Sequence, residues 1–599
     1  MHAPRFFQVN LGLTSLGFAT LSVSKIIGPN LAKRHQSTLE GVGIALIGAG
    51  EAVRLIRGER ESQRAAERAK TNERALNRLA AKIETVPRIT RADRRKAARP
   101  TKLKDVKVAA ILDEFSFNSF APECQLFALT PENWRDVFDH EAPDLFFCES
   151  AWSGHDPQAR PWRGKIYASE NFAQENRTVL LEILEHCKRA GIPTVFWNKE
   201  DPSHFDDRAH NFVDTAIRFD HIFTTDAGCV QRYKEEYGHR SVHVLQFAAQ
   251  PRLFNPIEVT QRSNNAVFAG GWYENHIQRS KDMEQIFDAV LRSGRGLKIY
   301  DRFFNFEDDD THVYPERFAP YIHPPVPGNQ VAGVYKESTI SISINTETES
   351  DTMFARRVFE LMACNTFVVS NYSKGVDKLF GDTVLFLDRE PNGLEAWSQE
   401  RIDASRKHNL HTVLREHTYA KRFEEIARVA GLDFAPSTPA VAATALVTDK
   451  ADTEHAFAAL RSLSAPNITA KVLLVGPSVE PFDYGLLLRD FNRDGVQVIR
   501  LASDAPRGGE VLRATDADYF YAFKADGCPS SVEVEGAIAA LLLHGQYSPC
   551  AVSFAQQPQQ RYSIVSEQLE HAALVPAVNA EHTLSEMLSS QPVDQLLIG

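Results

Sequence analysis

From Val106 onward the chain alternates short, unbroken apolar runs with longer amphipathic stretches, and after Pro256 the alternation starts afresh. VKVAAIL, DLFFCES, TVFWN, HIFTT and SVHVLQF read as buried strands, with helices such as Arg177–Arg189 and Gly228–Tyr237 between them. A repeating strand and helix builds an open, mostly parallel sheet. The second series, AVFAGG, LKIYD, ISISIN, FVVSN and VLFLD, alternates with helices expected at Arg279–Ser293, Gln330–Lys336 and Met353–Cys364. Two doubly wound α/β units in tandem leave a cleft between them, lined by the carboxyl ends of strands, where ligands of such folds bind.

The rest of the chain adds to this pair. Its 599 residues exceed the roughly 100–200 of one domain, so about three folded units are expected. After Gly431, LDFAPSTPAVAA is a Pro/Ala-rich linker, and ATALVTD, KVLLVG, VQVIRL and DYFYAF then read as strands of a third α/β unit with helices at Thr453–Leu463 and Ser531–Leu543. The expected divisions are 1–105, 106–255, 256–432, a linker at 433–443, and 444–599.

The first of these divisions is helical and basic. Between Met1 and Thr38 there is no Asp or Glu, while Arg5, Lys25, Lys33 and Arg34 punctuate an apolar stretch. Such a segment suits a docked or oligomerising helix, a membrane-surface helix or a transit peptide. Residues 51–83 read as one long helix with a narrow, Ala-rich apolar face, suited to a coiled coil or an edge. The run Arg91, Arg94, Arg95, Lys96, Arg99, Lys102 and Lys104 is either a solvated linker or a contact for anionic lipid or a polyanionic acceptor.

Charge and cysteine content narrow the function classes. A net charge of −11 excludes a surface that binds nucleic acid along its whole length, so no nucleic-acid partner is expected. Seven Cys without a CxxC pair form neither a disulfide scaffold nor a zinc ribbon, which fits a reducing, cytoplasmic compartment. No apolar run reaches the roughly 20 residues that span a bilayer, so any membrane contact is peripheral, at the inner face, through residues 1–105. A strand-GxGxxG-helix fingerprint for NAD is missing.

The segment TESDTMFARRVFELMACNTFVVSNYS, Thr348 to Ser373, resembles the donor-binding signature of GT-B glycosyltransferases, in particular the spore-coat CgeB-like group. The resemblance implies that Glu360 accepts the ribose hydroxyls of a nucleotide and that Arg357 faces its diphosphate. FAGGWYENHIQRS resembles the loop through which Gly270, Gly271 and Arg279 approach the donor diphosphate. The stretch from Tyr314 to Asn345 resembles the part that crosses the nucleotide base, and HTYAKRF, His417 to Phe423, resembles the closing helix. The wider retaining pattern has a Glu eight positions before Glu360, where this chain has Thr352, so the stereochemical class stays open. Asn365 stands where relatives have Gly, and Asn tolerates positive φ.

In the first unit LDEFSFNSFAPE, PDLFFCESAWSG and VFWNKEDPSHFD resemble the amino-terminal domain of the same group. They put Asp113, Glu114, Glu149, Glu200 and Asp201 at the carboxyl ends of strands, where an inverting transfer needs a base for the acceptor hydroxyl. Glu149, Asp201 and Glu200 are the expected catalytic set, with His204 and His155 as alternatives; Trp152, Trp162 and Trp197 either stack on a sugar or pack. No metal cluster is expected, because this fold compensates a leaving diphosphate with a helix amino-terminus and basic side chains. The acidic run from Glu307 to Asp310 reads as an exposed loop.

The third unit resembles a trimmed GT-A domain in which the metal-binding triplet reads Lys524-Ala525-Asp526, too poor in carboxylates to hold an ion. The expectation is a homo-oligomeric glycosyltransferase with no cofactor, moving a sugar from a nucleotide diphosphate, a UDP-sugar by preference, to a saccharide, lipid-linked or polymeric cell-envelope acceptor. The alternative is an inactive scaffold of the same fold in a glycan-assembly complex.

Overall fold

The computed structural model describes residues 102–599 apart from 306–309, 436–437, 450–452, 502–511, 513–514 and 525–530. All belong to one unit, Pro100–Gly599, which carries three sheets. The readings given for residues 1–101, for most of the acidic run from Glu307, and for Ala525 and Asp526 lie outside the described residues. Of the basic cluster, Lys102 and Lys104 are described, and the Lys102 Nζ sits 3.3 Å from Asp518 of the third sheet region.

The first sheet contains β1 (Lys107–Ile111), β2 (Gln125–Ala128), β3 (Leu145–Glu149), β4 (Thr194–Asn198), β5 (His221–Thr224) and β6 (Val242–Val244), in the order β2-β1-β3-β4-β5-β6 and parallel throughout. Its runs are continuously apolar because both faces are covered. Ala109, Phe146 and Phe196 pack under Trp134, Leu180 and Ile183 on one side. Val108, Phe147, Val195 and Trp197 pack with Phe120 on the other. The strand order reverses between β1 and β3, which opens a crevice at their carboxyl ends.

The second sheet contains β7 (Ser263–Gly270), β8 (Leu297–Asp301), β9 (Ile322–His323), β10 (Ser338–Ser343), β11 (Phe367–Ser370) and β12 (Leu385–Phe386). These too are all parallel, in the order β12-β11-β10-β7-β8-β9, which is the dinucleotide-fold order with its reversal between β7 and β10. The fold is therefore α/β, two Rossmann-like parallel sheets followed by a further sheet.

Two chain segments tie the first two sheets together at their carboxyl ends. The loop after β10 reaches across, with the Ser203 hydroxyl donating to Glu347 at 2.6 Å, the Ser350 hydroxyl donating to Asp226, and Thr352 bridging the Thr225 carbonyl and the Ala227 amide at 2.8 Å each. The helix Tyr419–Val429 leaves the second sheet and packs on the first. Tyr419 lies edge-on to Phe120 at 4.9 Å, and Arg422 donates to the carbonyls of Gln246 and Phe247. The expected 256–432 unit thus surrenders its last helix to the core of its neighbour.

The third sheet is mixed. It contains β13 (Val441–Val447), β14 (Ile468–Val475), β15 (Val496–Arg500), β16 (Tyr519–Lys524), β17 (Ala551–Phe554), β18 (Ile564–Glu567), β19 (Ala572–Pro576) and β20 (Val593–Ile598), in the order β15-β14-β13-β16-β19-β17-β20-β18. Strands β13 to β16 run parallel, and β19 pairs antiparallel with both β16 and β17. Leu410 and Leu414, from the helix Gln399–Glu416 of the second region, are buried in its core, so an apolar contact fixes the third region against the second.

The Tyr419 hydroxyl is buried without a hydrogen-bond partner. An unpartnered buried hydroxyl costs about 1–3 kcal/mol, so Tyr419→Phe, which keeps the ring contacts, is expected to raise the unfolding midpoint in urea at unchanged slope. A lowered midpoint would show that the hydroxyl has a partner.

Candidate active site

At the reversal point of the first sheet, Lys199 stands between two carboxylates. Its ammonium is 2.9 Å from Asp113 and 2.9 Å from Glu149. Asp113, just beyond β1, also accepts hydrogen bonds from the amides of Trp152, Ser153 and Gly154, so its carboxylate organises the turn after β3. Burial acts to raise its pKa, but Lys199 and those amides outweigh burial and hold it below the ordinary value. Glu149 is 0% exposed and accepts from the Asp113 amide at 2.7 Å. Burial pushes its pKa up against the pull of Lys199. Glu149 therefore props Lys199 and the β1 turn and is closed to an acceptor, contrary to its expected place as a base open to the cleft.

Asp201 departs from expectation in the same way. It is 0% exposed, one oxygen taking the Asn198 amide at 2.7 Å and the other the hydroxyls of Thr224 at 2.7 Å and Tyr233 at 3.2 Å. Burial pushes its pKa up to about 8 despite the Thr224 and Tyr233 hydroxyls. Glu200, the third member of the expected set, is half-buried and accepts from the Trp152 indole at 3.0 Å. Glu114 is exposed at the start of the helix Glu114–Phe120. Trp162 and Trp197 are fully buried and donate to the carbonyls of Leu129 and Leu245, so they pack; Trp152 is half-buried.

At the reversal point of the second sheet the chain turns through Gly270 and Gly271. A Cβ on Gly270 would strike the Phe268 ring at 2.7 Å, and one on Gly271 would strike Phe303, so only glycines fit. Three guanidinium groups gather at this turn. Arg279 donates to the Gly271 carbonyl at 3.2 Å and lies 4.8 Å over the Tyr273 ring. Arg357 lies 5.3 Å over Phe268, with an Nη 3.5 Å from the place of a Gly270 Cβ. Burial lowers the Arg279 pKa, and the positive charges of Arg357 and Arg302 lower it further against Tyr314 and Tyr273. Among the described residues none of the three is ion-paired with a carboxylate. Clustered, partly desolvated cations without countercharge form an anion-binding surface.

Glu360, in the helix Arg357–Ala363, is 2% exposed. Its oxygens accept from Arg356 at 2.9 Å and from the Tyr335 hydroxyl at 3.1 Å. Arg356 in turn lies 3.4 Å over Phe115 of the first region. The helix begins four residues later than the expected Met353, because residues 346–356 form the bridging loop. Asn345 holds that loop: its side chain accepts from the Ala355 amide at 2.9 Å and donates to the Ser370 hydroxyl at 2.9 Å, and its backbone amide donates to Asn371 at 2.8 Å. With its amide group engaged on both sides, Asn345 positions the loop; the expected ligand contact is not available to it in this arrangement. Asn365 has φ of 53°, the left-handed turn that its replacement of Gly requires.

One cluster was missed by the sequence reading, which expected no metal ligands. His204, Asp207 and His210 bring three ligand atoms within 4.8 Å of one another beside Trp152. Its signal was the His-x-x-Asp-x-x-His spacing in the loop after β4.

A glycosyl transferase-like family model matches residues 281–428, a stretch that includes Arg357 and Glu360 and leaves out Gly270, Gly271 and Arg279. No curated protein matches the chain by sequence. Solved structures similar to it include an alpha-glucosyltransferase in complex with UDP and a 13-mer DNA containing a HMU base, 10% identical, over 55% of this chain and 100% of that one, with a TM-score of 0.40. A glycosyltransferase from Rickettsia africae ESF-5 is 11% identical over 54% and 98% of the two chains, with a TM-score of 0.34. S. aureus TarM, in complex with Fondaparinux, alpha-GlcNAc-glycerol and UDP, is 8% identical over 48% and 55%, with a TM-score of 0.31.

The Asp201 arrangement makes a pH prediction. With a folded value of about 8 and an ordinary value of 3.8, its contribution to stability is full below pH 3.8 and is lost as pH rises toward 8. Asp201→Asn, which copies the protonated carboxyl, is expected to fold and to gain in melting temperature relative to wild type between pH 5 and pH 8. The gap should widen as pH rises over this range; a gap that stays constant would mean that Asp201 is ionised in the folded chain.

Proposed function

We propose that the chain is a GT-B glycosyltransferase of the CgeB-like kind that transfers a sugar from a nucleotide diphosphate, a UDP-sugar, to a saccharide, lipid-linked or polymeric acceptor of the cell envelope. The observation that carries the reading is the gathering of Arg279, Arg302 and Arg357 around Gly270 and Gly271 without a countercharge among the described residues. This turn lies at the strand reversal of a dinucleotide-type sheet, where a diphosphate has backbone and guanidinium donors together. Such a site compensates the leaving diphosphate with side-chain cations, and donor binding is accordingly metal-independent. Glu360 accepts the ribose hydroxyls once Arg356 turns aside, and Glu200, at the end of β4, serves as the base for the acceptor.

The acceptor sits against the first sheet, with the basic residues of 1–105 held at the inner face of the cell membrane and the third, GT-A-like region as a scaffold for assembly. A second reading, an inactive scaffold, draws on two observations: Glu149 and Asp201 are enclosed, and the place of the retaining Glu is taken by Thr352, which is spent on bridging the sheets. Release of UDP from UDP-sugars, measured with and without candidate acceptors, separates the two.

Calorimetric titration with UDP, GDP, CDP and ADP in EDTA is expected to show one nucleotide binding without metal. Arg279→Ala and Arg357→Ala each remove charge-assisted bonds of about 1.5–3 kcal/mol and are expected to weaken it at least about tenfold. Binding unaffected by both substitutions, or absent for all four nucleotides, would overturn the donor site.

A further inference from the structure

The loop from Asp201 to Asn211 follows β4 without regular structure and folds His204, Asp207 and His210 onto one point. Asp207 is the organiser. Its Oδ1 accepts from the amides of Ala209 at 2.8 Å and His210 at 3.1 Å, which fixes the carboxylate to its own turn. Its Oδ2 is left facing Nδ1 of His204 at 2.8 Å and Nδ1 of His210 at 3.0 Å.

The rings are held from behind. Trp152 meets His204 and His210 edge-on at 5.7 and 5.1 Å, and Tyr167 meets His210 at 5.0 Å. Trp152 is itself anchored by its amide to Asp113 and by its indole to Glu200, both at 3.0 Å. The three ligand side chains are between a quarter and two fifths exposed, so an ion and one further ligand can reach them.

We propose that His204, Asp207 and His210 form a binding site for a divalent transition-metal ion, zinc by donor type, through the two Nδ1 atoms and Oδ2. Two imidazoles and a carboxylate are a borderline donor set, unlike the all-oxygen sets of calcium or magnesium. At metal–ligand bonds of about 2.0–2.2 Å, tetrahedral ligand atoms stand about 3.3 Å apart. The two nitrogen–oxygen separations fall a few tenths of an ångström short of that, an opening that rotation of the two imidazoles supplies. Three protein ligands leave a fourth position for water or a substrate oxygen, the pattern of catalytic rather than structural zinc. The position is next to Glu200 and separate from the arginines of the second sheet, so it serves the acceptor side and leaves diphosphate compensation to those arginines. Binding of the ion does not rest on the transfer reading.

The test uses the full chain, freed of affinity-tag histidines, stripped with a chelator and titrated with Zn²⁺ or Co²⁺. One equivalent of ion bound at micromolar affinity or tighter, a raised melting temperature and the visible absorption of four-coordinate Co²⁺ are expected. His204→Gln, His210→Gln and Asp207→Asn are expected to lower the affinity by at least about tenfold each. Asp207→Asn keeps the Oδ1 acceptor that its turn requires, so loss of the ion there is separable from loss of the fold, which the melting curve of the stripped variant reports. Wild-type chain that binds neither ion, or binding that survives in the His204→Gln/His210→Gln double variant, would leave the cluster as two imidazoles hydrogen-bonded to one carboxylate and overturn the proposal. If the ion binds but no nucleotide does, the metal site stands and the transfer reading falls.

Discussion

The first region depends on a charge placed where it is hard to keep. Lys199 stands part-buried between Asp113 and the fully enclosed Glu149, and drawing three ionisable groups away from water is costly unless their geometry repays it. Here the ammonium meets both carboxylates at 2.9 Å, and four backbone amides, those of Asp113, Trp152, Ser153 and Gly154, satisfy further carboxylate lone pairs. The consequence is geometric. The ends of β1, β3 and β4 are locked to one another at the strand reversal, and Trp152, carried on the Asp113-bound turn, becomes a fixed wall for the loop after β4. Remove the lysine and two carboxylates face each other in a nearly dry site, so the whole rim of the cleft loses its shape at once.

The same economy governs the contact between the two parallel sheets. The loop from Asn345 to Arg356 is attached at one end to β11 through Ser370 and Asn371 and crosses to the turn after β5 through Ser350 and Thr352. It delivers Arg356 onto Phe115 and Glu360 into a pocket closed by Tyr335. Closure of the two sheets and covering of Glu360 are therefore one event. Any displacement of Arg356 from Glu360 also disturbs its contact with Phe115 of the first region.

Much of this architecture was legible in the chain, for a physical reason. Strands such as Thr194–Asn198 and Leu297–Asp301 were placed to the residue because parallel strands covered on both faces have no polar alternation to blur them. β2 and β9 were not foreseen, being short edge strands at the margins of their sheets, and β12 was read longer, as VLFLD, than the two residues that pair. Half of the third sheet, β17 to β20, was missed; Ile564–Glu567 is mostly exposed and Val593–Ile598 carries Asp594 and Gln595 within its apolar run, so neither reads as a continuous buried strand. Glu149 and Asp201 were located correctly at strand ends and misjudged in exposure, since what covers Asp201 comes from Thr224 and Tyr233, 23 and 32 residues further on. Local sequence shows where a carboxylate sits along a strand and says nothing of what folds over it. The left-handed Asn365 is the reverse case, a purely local requirement that the residue type alone foretold.

What emerges is a separation of charge between the two faces of the cleft. Among the described residues, the second sheet offers guanidinium groups without a paired carboxylate at its glycine turn, while the first offers carboxylates and imidazoles that are locked in pairs or gathered on one point. Lys199, at the strand reversal of the first sheet, is already neutralised by two carboxylates and offers an approaching anion little attraction. The crossing helix Tyr419–Val429, which leaves the second region and is buried in the core of the first, keeps these two differently charged faces in register.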